Sequence, residues 1–306
     1  MRLVTFINPE GEKRVGLVMD NSIMDVEKAS SGKIPANMLD LLKEQETHLP
    51  LLKQLNDSTL AKEAVSYPLG EITLCAPIPN PPSVRDFYAF EQHVKTARER
   101  RGLSVVPEWY QIPVFYFTNH HAIIGPNDPV HRPRKTNWLD YELEIACIIG
   151  KKGRNIKAEE ADSYIFGFTI LNDWSARDLQ RQEVAVGLGP AKGKDFATSI
   201  GPYLVTKDEL EVYRVGDRYD LSMTAKVNGK LLSEGNFKDI YYTFGQMIER
   251  ASEDATLYPG DIIGSGTVGT GCILEIGTEV HRWLEPGDVV ELEITGLGTL
   301  RTEVKD

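Results

Sequence analysis

Short apolar runs open the chain, Leu3 to Ile7, Val15 to Met19 and Ile23 to Val26, separated by the turn-forming Asn8-Pro9-Glu10-Gly11 and Asp20-Asn21. That spacing predicts a small antiparallel sheet. Leu39, Leu41 and Leu42, then Leu51, Leu52 and Leu55, follow a helical period and predict one or two helices reaching about Tyr67. Residues 76–83 carry Pro77, Pro79, Pro81 and Pro82, whose fixed backbone angles predict a stiff spacer. The expected division is a small α+β domain over 1–75 and a larger domain over 76–306. Within the latter, Val94 to Gly102 reads as an exposed helix ended by glycine, Pro107 to Pro113 as a loop, and Val114 to Thr118 as a strand. Strands also follow from the apolar runs Ile145 to Ile149 and Tyr164 to Leu171. Beyond Gln180 the chain is dense in strands, with turns at Asn228-Gly229, Pro259-Gly260-Asp261 and Pro286-Gly287-Asp288 and one helix near Thr243 to Ala251.

Leu139 to Gln180 holds the most informative polar residues. If Asp140-Tyr141-Glu142-Leu143-Glu144 is a strand, its three carboxylates share one face at intervals of about 7 Å. Such repulsion beside a buried apolar run calls for a positive partner, and Mg2+, Mn2+ or Ca2+ fits an all-oxygen set with no histidine or cysteine pair nearby. The same alternation in Glu291-Leu292-Glu293 reads as the wet face of an antiparallel strand, so spacing alone does not decide. Asp173, at the end of the Tyr164 to Leu171 run, can converge on the same ion. Ser175-x-x-Asp178 has capping-box spacing, with Asp in place of Glu, and predicts a helix start that assigns Asp178 to the cap. Arg177 and Gln180 then share a helical face.

Other polar residues are less pointed. His93 by itself reads as a surface or core histidine, His120, His121 and His131 have no spacing that joins them to an acid, and Lys194 ends a Gly- and Pro-rich stretch that lacks both phosphate-loop and dinucleotide spacings. The glycines of Gly264-Ser265-Gly266-Thr267-Val268-Gly269-Thr270-Gly271 bring backbone close to something.

The net charge of −11 argues against a nucleic-acid or membrane-surface partner. Cys75, Cys147 and Cys272 are widely separated and read as packed thiols of a reducing compartment. No long apolar segment or cleavage site opens the sequence, and a cytoplasmic protein is expected.

Taken together, Asp140-Tyr141-Glu142-Leu143-Glu144, Asn172-Asp173-Trp174-Ser175-Ala176-Arg177-Asp178-Leu179-Gln180, Gly193-Lys194-Asp195-Phe196 and Gly264-Ser265-Gly266-Thr267 resemble the fumarylacetoacetate hydrolase family over roughly residues 70–306. Asp86-Phe87-Tyr88 with His93 is most similar to its fumarylacetoacetase branch. The resemblance implies a β-rich roll of mixed sandwich type, with a few covering helices and a small α+β domain ahead of it. It further implies a homodimer and a Mg2+ or Mn2+ site (Ca2+ is also an oxygen binder) formed by Asp86, Glu142, Glu144 and Asp173. His93 would be the base, oriented by Glu275. Arg177, Gln180 and Lys194 would surround developing negative charge, while Tyr88, Tyr116, Gly266 and Thr267 would line the substrate. The implied reaction is hydrolysis of the carbon–carbon bond of a small anionic diketo acid, fumarylacetoacetate or an acylpyruvate such as fumarylpyruvate. Decarboxylation of oxaloacetate, hydration of a 2-oxo-alkenoate and dehydration of a 2-keto-3-deoxy acid need the same enolate chemistry. Two positions depart from the pattern. Thr96 stands where the acylpyruvase branch carries a glutamate, and Val184 where fumarylacetoacetases carry a tyrosine.

Overall fold

The computed structural model describes residues 1–57, 65–100 and 102–306. Strands dominate and helices are few, giving the expected sheet-rich α+β fold. A twelve-stranded sheet runs in the order Ser66–Pro68, Ser22–Asp25, Lys13–Met19, Arg2–Ile7, Thr198–Thr206, Ile165–Asp173, Leu143–Ile149, Ile262–Gly264, Val84–Phe87 and Phe115–Phe117. Thr73–Cys75 and Ile123–Ile124 pair off this path. A second sheet of five strands contains Val289–Ile294 at its centre.

Leu143–Ile149 explains why its region reads as continuously apolar. Every residue in it is buried, because the strand lies inside the sheet with apolar cores on both faces. Leu143, Ile145, Cys147 and Ile149 enter one core, and Ala146 and Ile148 enter the other. Ile145→Ala is therefore expected to destabilise the protein by about 2–5 kcal/mol, read from the urea midpoint. Val289–Ile294 behaves as its sequence suggests, with Val290, Leu292 and Ile294 buried and Glu293 exposed.

Several expected elements differ. The strand predicted from Asp140 is interrupted at Tyr141-Glu142: Leu139–Asp140 pairs with Ser175–Ala176, and a separate strand begins at Leu143. The helix after Ser175 begins at Arg177 with no side-chain cap. Ser175 Oγ donates instead to the carbonyl of Asp173, and Asp178 accepts from Thr136 Oγ1 and the amide of Asn137. The Leu-rich helices are Met38–Lys43 and Gln45–Asp57. Residues 58–64 of the predicted helical stretch lie outside the described residues, and Ser66–Pro68, inside its expected limit, is a strand. The helix carrying His93 starts earlier than expected, spanning Glu91–Glu99 with His93, Val94 and Ala97 on its buried face. Thr243 forms a full capping box with Gln246 ahead of Phe244–Ser252.

The proline-rich stretch 76–83 is partly built into the interior. Ala76 and Ile78 are buried in a core shared by Leu3 and Leu17 with Ile200 and Ile262. The sheet runs on without interruption from the first 75 residues, since Arg2 pairs with Val205 and Leu3 with Leu204. Among the described residues no helix is long and apolar enough to cross a membrane.

Candidate active site

Adjacent strands bring four acids together. Asp86 lies on Val84–Phe87, in register with Gly264. Glu144 lies on Leu143–Ile149, Glu142 just before it, and Asp173 ends Ile165–Asp173. All four are buried, and one carboxylate oxygen from each lies within 4.8 Å of the others. Glycine is required beside them. A Cβ on Gly264 would come within 2.4 Å of Asp86 Oδ1, and Gly266, at φ +76°, would place one 2.4 Å from the carbonyl oxygen of Phe87. The Gly266 amide donates to Glu144 Oε2 at 3.0 Å and Asp86 Oδ1 at 3.3 Å, so its backbone serves the acids.

Asp140 does not join them. Its oxygens accept from the amides of Ile273 at 2.7 Å and Leu274 at 3.0 Å and from Arg177 Nε at 2.9 Å. The break at Tyr141-Glu142 undoes the alternation that would have aligned it with Glu144. Arg177 also reaches Glu142 Oε1 at 2.8 Å and donates to Gln180 Oε1 at 3.1 Å, the pairing expected of one helical face. Lys194 Nζ bridges Glu142 Oε2 and, at 2.6 Å, Asp173 Oδ2, which also accepts from Tyr116 Oη at 2.6 Å.

Five buried carboxylates, Asp140 included, thus face the two cations Lys194 and Arg177. Burial first, and then Asp173, push the Asp86 carboxyl well above its usual range. Burial and then Asp86 do the same to Glu144, and burial raises Asp173. Burial also acts to raise Glu142, but Lys194 and Arg177 outweigh it and hold that carboxyl low. Glu144 Oε1 and Asp173 Oδ1 are buried without a hydrogen-bond partner among the described residues. Buried carboxylate oxygens without partners, in a cluster whose members burial and mutual repulsion push upward, fit a hard divalent cation. Carboxyls raised in this way ligate a cation only once deprotonated, so affinity is expected to fall as pH falls, with protons released on binding. Calorimetry in buffers of different ionisation enthalpy measures that release. The sign is opposite for metal-free folding. Raised carboxyls stabilise the fold below their unfolded values and lose that contribution as pH rises through their folded ones.

His93 faces this cage from the Glu91–Glu99 helix. Its Nδ1 is 2.7 Å from Glu275 Oε2, and both side chains are buried. Oε2 is not aligned with Nδ1 as a hydrogen bond, while Glu275 Oε1 accepts from the Thr270 amide at 3.1 Å. The Tyr88 ring meets the imidazole edge-on at 5.3 Å.

A cavity of about 430 Å³ opens over the acids and takes in His93, Tyr88, Tyr116, Arg177, Gln180, Lys194, Gly266 and Thr267. Glu275 stands behind His93, outside the lining. Arg98, Val114, Phe115, Val184 and Leu274 also line the cavity. Of these only Val184 was singled out by sequence; Arg98, five residues beyond His93, is not on its helical face by period and carried no local signal. His120, His121 and His131 stay out of both clusters, and His131 lies in the two-residue strand Val130–His131.

Residues 83–305 match the family model for the fumarylacetoacetate (FAA) hydrolase C-terminal region. The chain is 32% identical to a mitochondrial oxaloacetate tautomerase of Xenopus laevis, over 99% of this chain and 90% of that protein. It is 31% identical to the oxaloacetate tautomerase YisK of Bacillus subtilis, over 95% of each. Its fold is similar, with TM-score 0.75 and 26% identity over 100% of this chain and 99% of the other, to a maleylpyruvate hydrolase from Sphingobium sp. SYK-6 in complex with manganese(II) and pyruvate. With four buried acids from neighbouring strands and a match over most of its length, the chain belongs to the fumarylacetoacetate hydrolase family.

Proposed function

We propose that the protein hydrolyses the carbon–carbon bond of a small anionic diketo acid, with Mg2+ or Mn2+ held by Asp86, Glu142, Glu144 and Asp173. Fumarylacetoacetate or an acylpyruvate is the substrate class. The observation that carries this reading is the buried His93–Glu275 pair, 2.7 Å apart, at the wall of a cavity floored by acids. A cation in that cage supplies Lewis acidity toward a chelating dicarbonyl.

The side chains do the rest. Glu275 holds Nδ1 and leaves Nε2 as the atom that takes a proton from water. The hydroxide oxygen bonds to the acyl carbon, giving a tetrahedral oxyanion near the positive charge of Lys194 and Arg177. Collapse breaks the carbon–carbon bond, and its electron pair leaves as an enolate whose carbon recovers the proton from His93. The pairing of His93 with Glu275, rather than with an acid on its own helix, supports the fumarylacetoacetase-like branch. A homodimer in the cytoplasm is part of the same proposal.

A second reading keeps the base and changes the outcome. The full-length likeness to oxaloacetate tautomerases supports proton transfer between carbon 3 and the 2-oxygen of oxaloacetate, with no bond between carbons broken. Mass spectrometry of products separates the two. Hydrolysis gives two acids from fumarylpyruvate or fumarylacetoacetate, whereas recovery of intact diketo acid together with faster decay of the enol band of oxaloacetate rejects hydrolysis.

A further inference from the structure

Beside the base lies a thiol that the proposed reaction leaves idle. Cys272 is fully buried, caps the short helix Ile273–Ile276, and holds its Sγ 3.5 Å from Glu275 Oε2. His93, Cys272 and Glu275 each offer one donor atom, all within 4.8 Å of one another. His93 Nδ1, in a side chain more than nine-tenths buried, points into this cluster without an aligned hydrogen-bond partner among the described residues.

An imidazole nitrogen, a sulfur and a carboxylate oxygen are ligand types of zinc, whereas hard cations take oxygen. The all-oxygen cage and this mixed set therefore sort ions by softness. We propose that His93, Cys272 and Glu275 form a second, inhibitory site for a thiophilic divalent cation of the zinc class, set behind the imidazole from the cavity.

Binding exchanges the S–H bond for a metal–sulfur bond and releases one proton, with no change of oxidation state. Burial and then Glu275 hold the thiol well above its ordinary range, so it enters as S–H and that proton must leave. Once Nδ1 is a ligand, the neutral ring carries its remaining proton on Nε2, the atom required as base. Inhibition rests on the catalytic reading of His93, whereas the site itself does not.

Cobalt(II) is the probe, because thiolate ligation gives it a charge-transfer absorption that oxygen ligation does not. With Mg2+ in excess to occupy the acidic cage, wild-type protein is expected to develop that band at one equivalent of Co2+ and to lose it on adding Zn2+. Cys272→Ala is expected to show no band, to keep Mg2+-dependent turnover, and to need about 100-fold more Zn2+ for half-inhibition. Cys272→Ser tests the same loss in a fuller core if the alanine variant does not fold. No thiolate band in the wild type, or unchanged zinc inhibition in the variants, overturns the site. The absorbance needs no substrate, so a protein that turns over no diketo acid refutes the catalytic reading and leaves the band to decide this one.

Discussion

His93→Ala lowers turnover of the diketo acid by about 10²- to 10⁴-fold, the usual contribution of a positioned acid–base group. KM is expected to change little, because the imidazole acts on water and on the leaving carbon, while the anionic end of the substrate meets Lys194, Arg177 and the cage. Metal-induced thermal stabilisation should survive, since His93 is not among the four clustered acids. Glu275→Gln is the companion variant. It retains the shape beside Nδ1 but removes the charge that steadies an imidazolium, and a smaller loss of turnover is expected. Unchanged kcat in His93→Ala on fumarylpyruvate and fumarylacetoacetate alike would mean that another group activates water.

Glu144→Ala abolishes the thermal shift produced by Mg2+ or Mn2+. At a metal concentration about a hundredfold above Kd, binding stabilises the native state by about 2.7 kcal/mol, which in a chain of this size corresponds to a shift on the order of 5 °C. Glu144 has no second role that would maintain the shift, because Oε2 accepts from the Gly266 amide and Oε1 has no partner among the described residues. Removing it also relieves repulsion with Asp86, so the metal-free variant should melt no lower than the metal-free wild type. Scanning fluorimetry with and without metal reads both numbers. A full shift in the variant would move the ion out of the cage.

Reading the site from sequence works where chemistry follows a local period and fails where it depends on a break in one. Glu144 and Asp173 are legible because each sits at a definable place on an apolar strand. Asp140 is not, because two residues without strand geometry reverse the face on which it emerges, and nothing in Tyr141-Glu142 announces that. The cap expected at Ser175 fails for a related reason. Ser175 is paired in a two-residue strand with Asp140, so its hydroxyl is turned away from the first turn of the helix. The meeting of His93 with Glu275 spans most of the chain and has no local signature at all; only likeness to a family points to it. Arg98, Val114, Phe115 and Leu274 reach the cavity through tertiary packing, which alternation and helical period do not encode.

The pairing of Arg2 and Leu3 with Val205 and Leu204 gives the first part of the chain a duty unrelated to chemistry. Thr198–Thr206 stands next to the strand that ends in Asp173, and without its outer neighbour the Leu204-Val205 end would present bare amide and carbonyl groups in an otherwise buried strand. A protein lacking residues 1–75 would keep every residue that lines the cavity and is expected to stick to copies of itself, so protection from aggregation is written in a segment that lies outside the cavity.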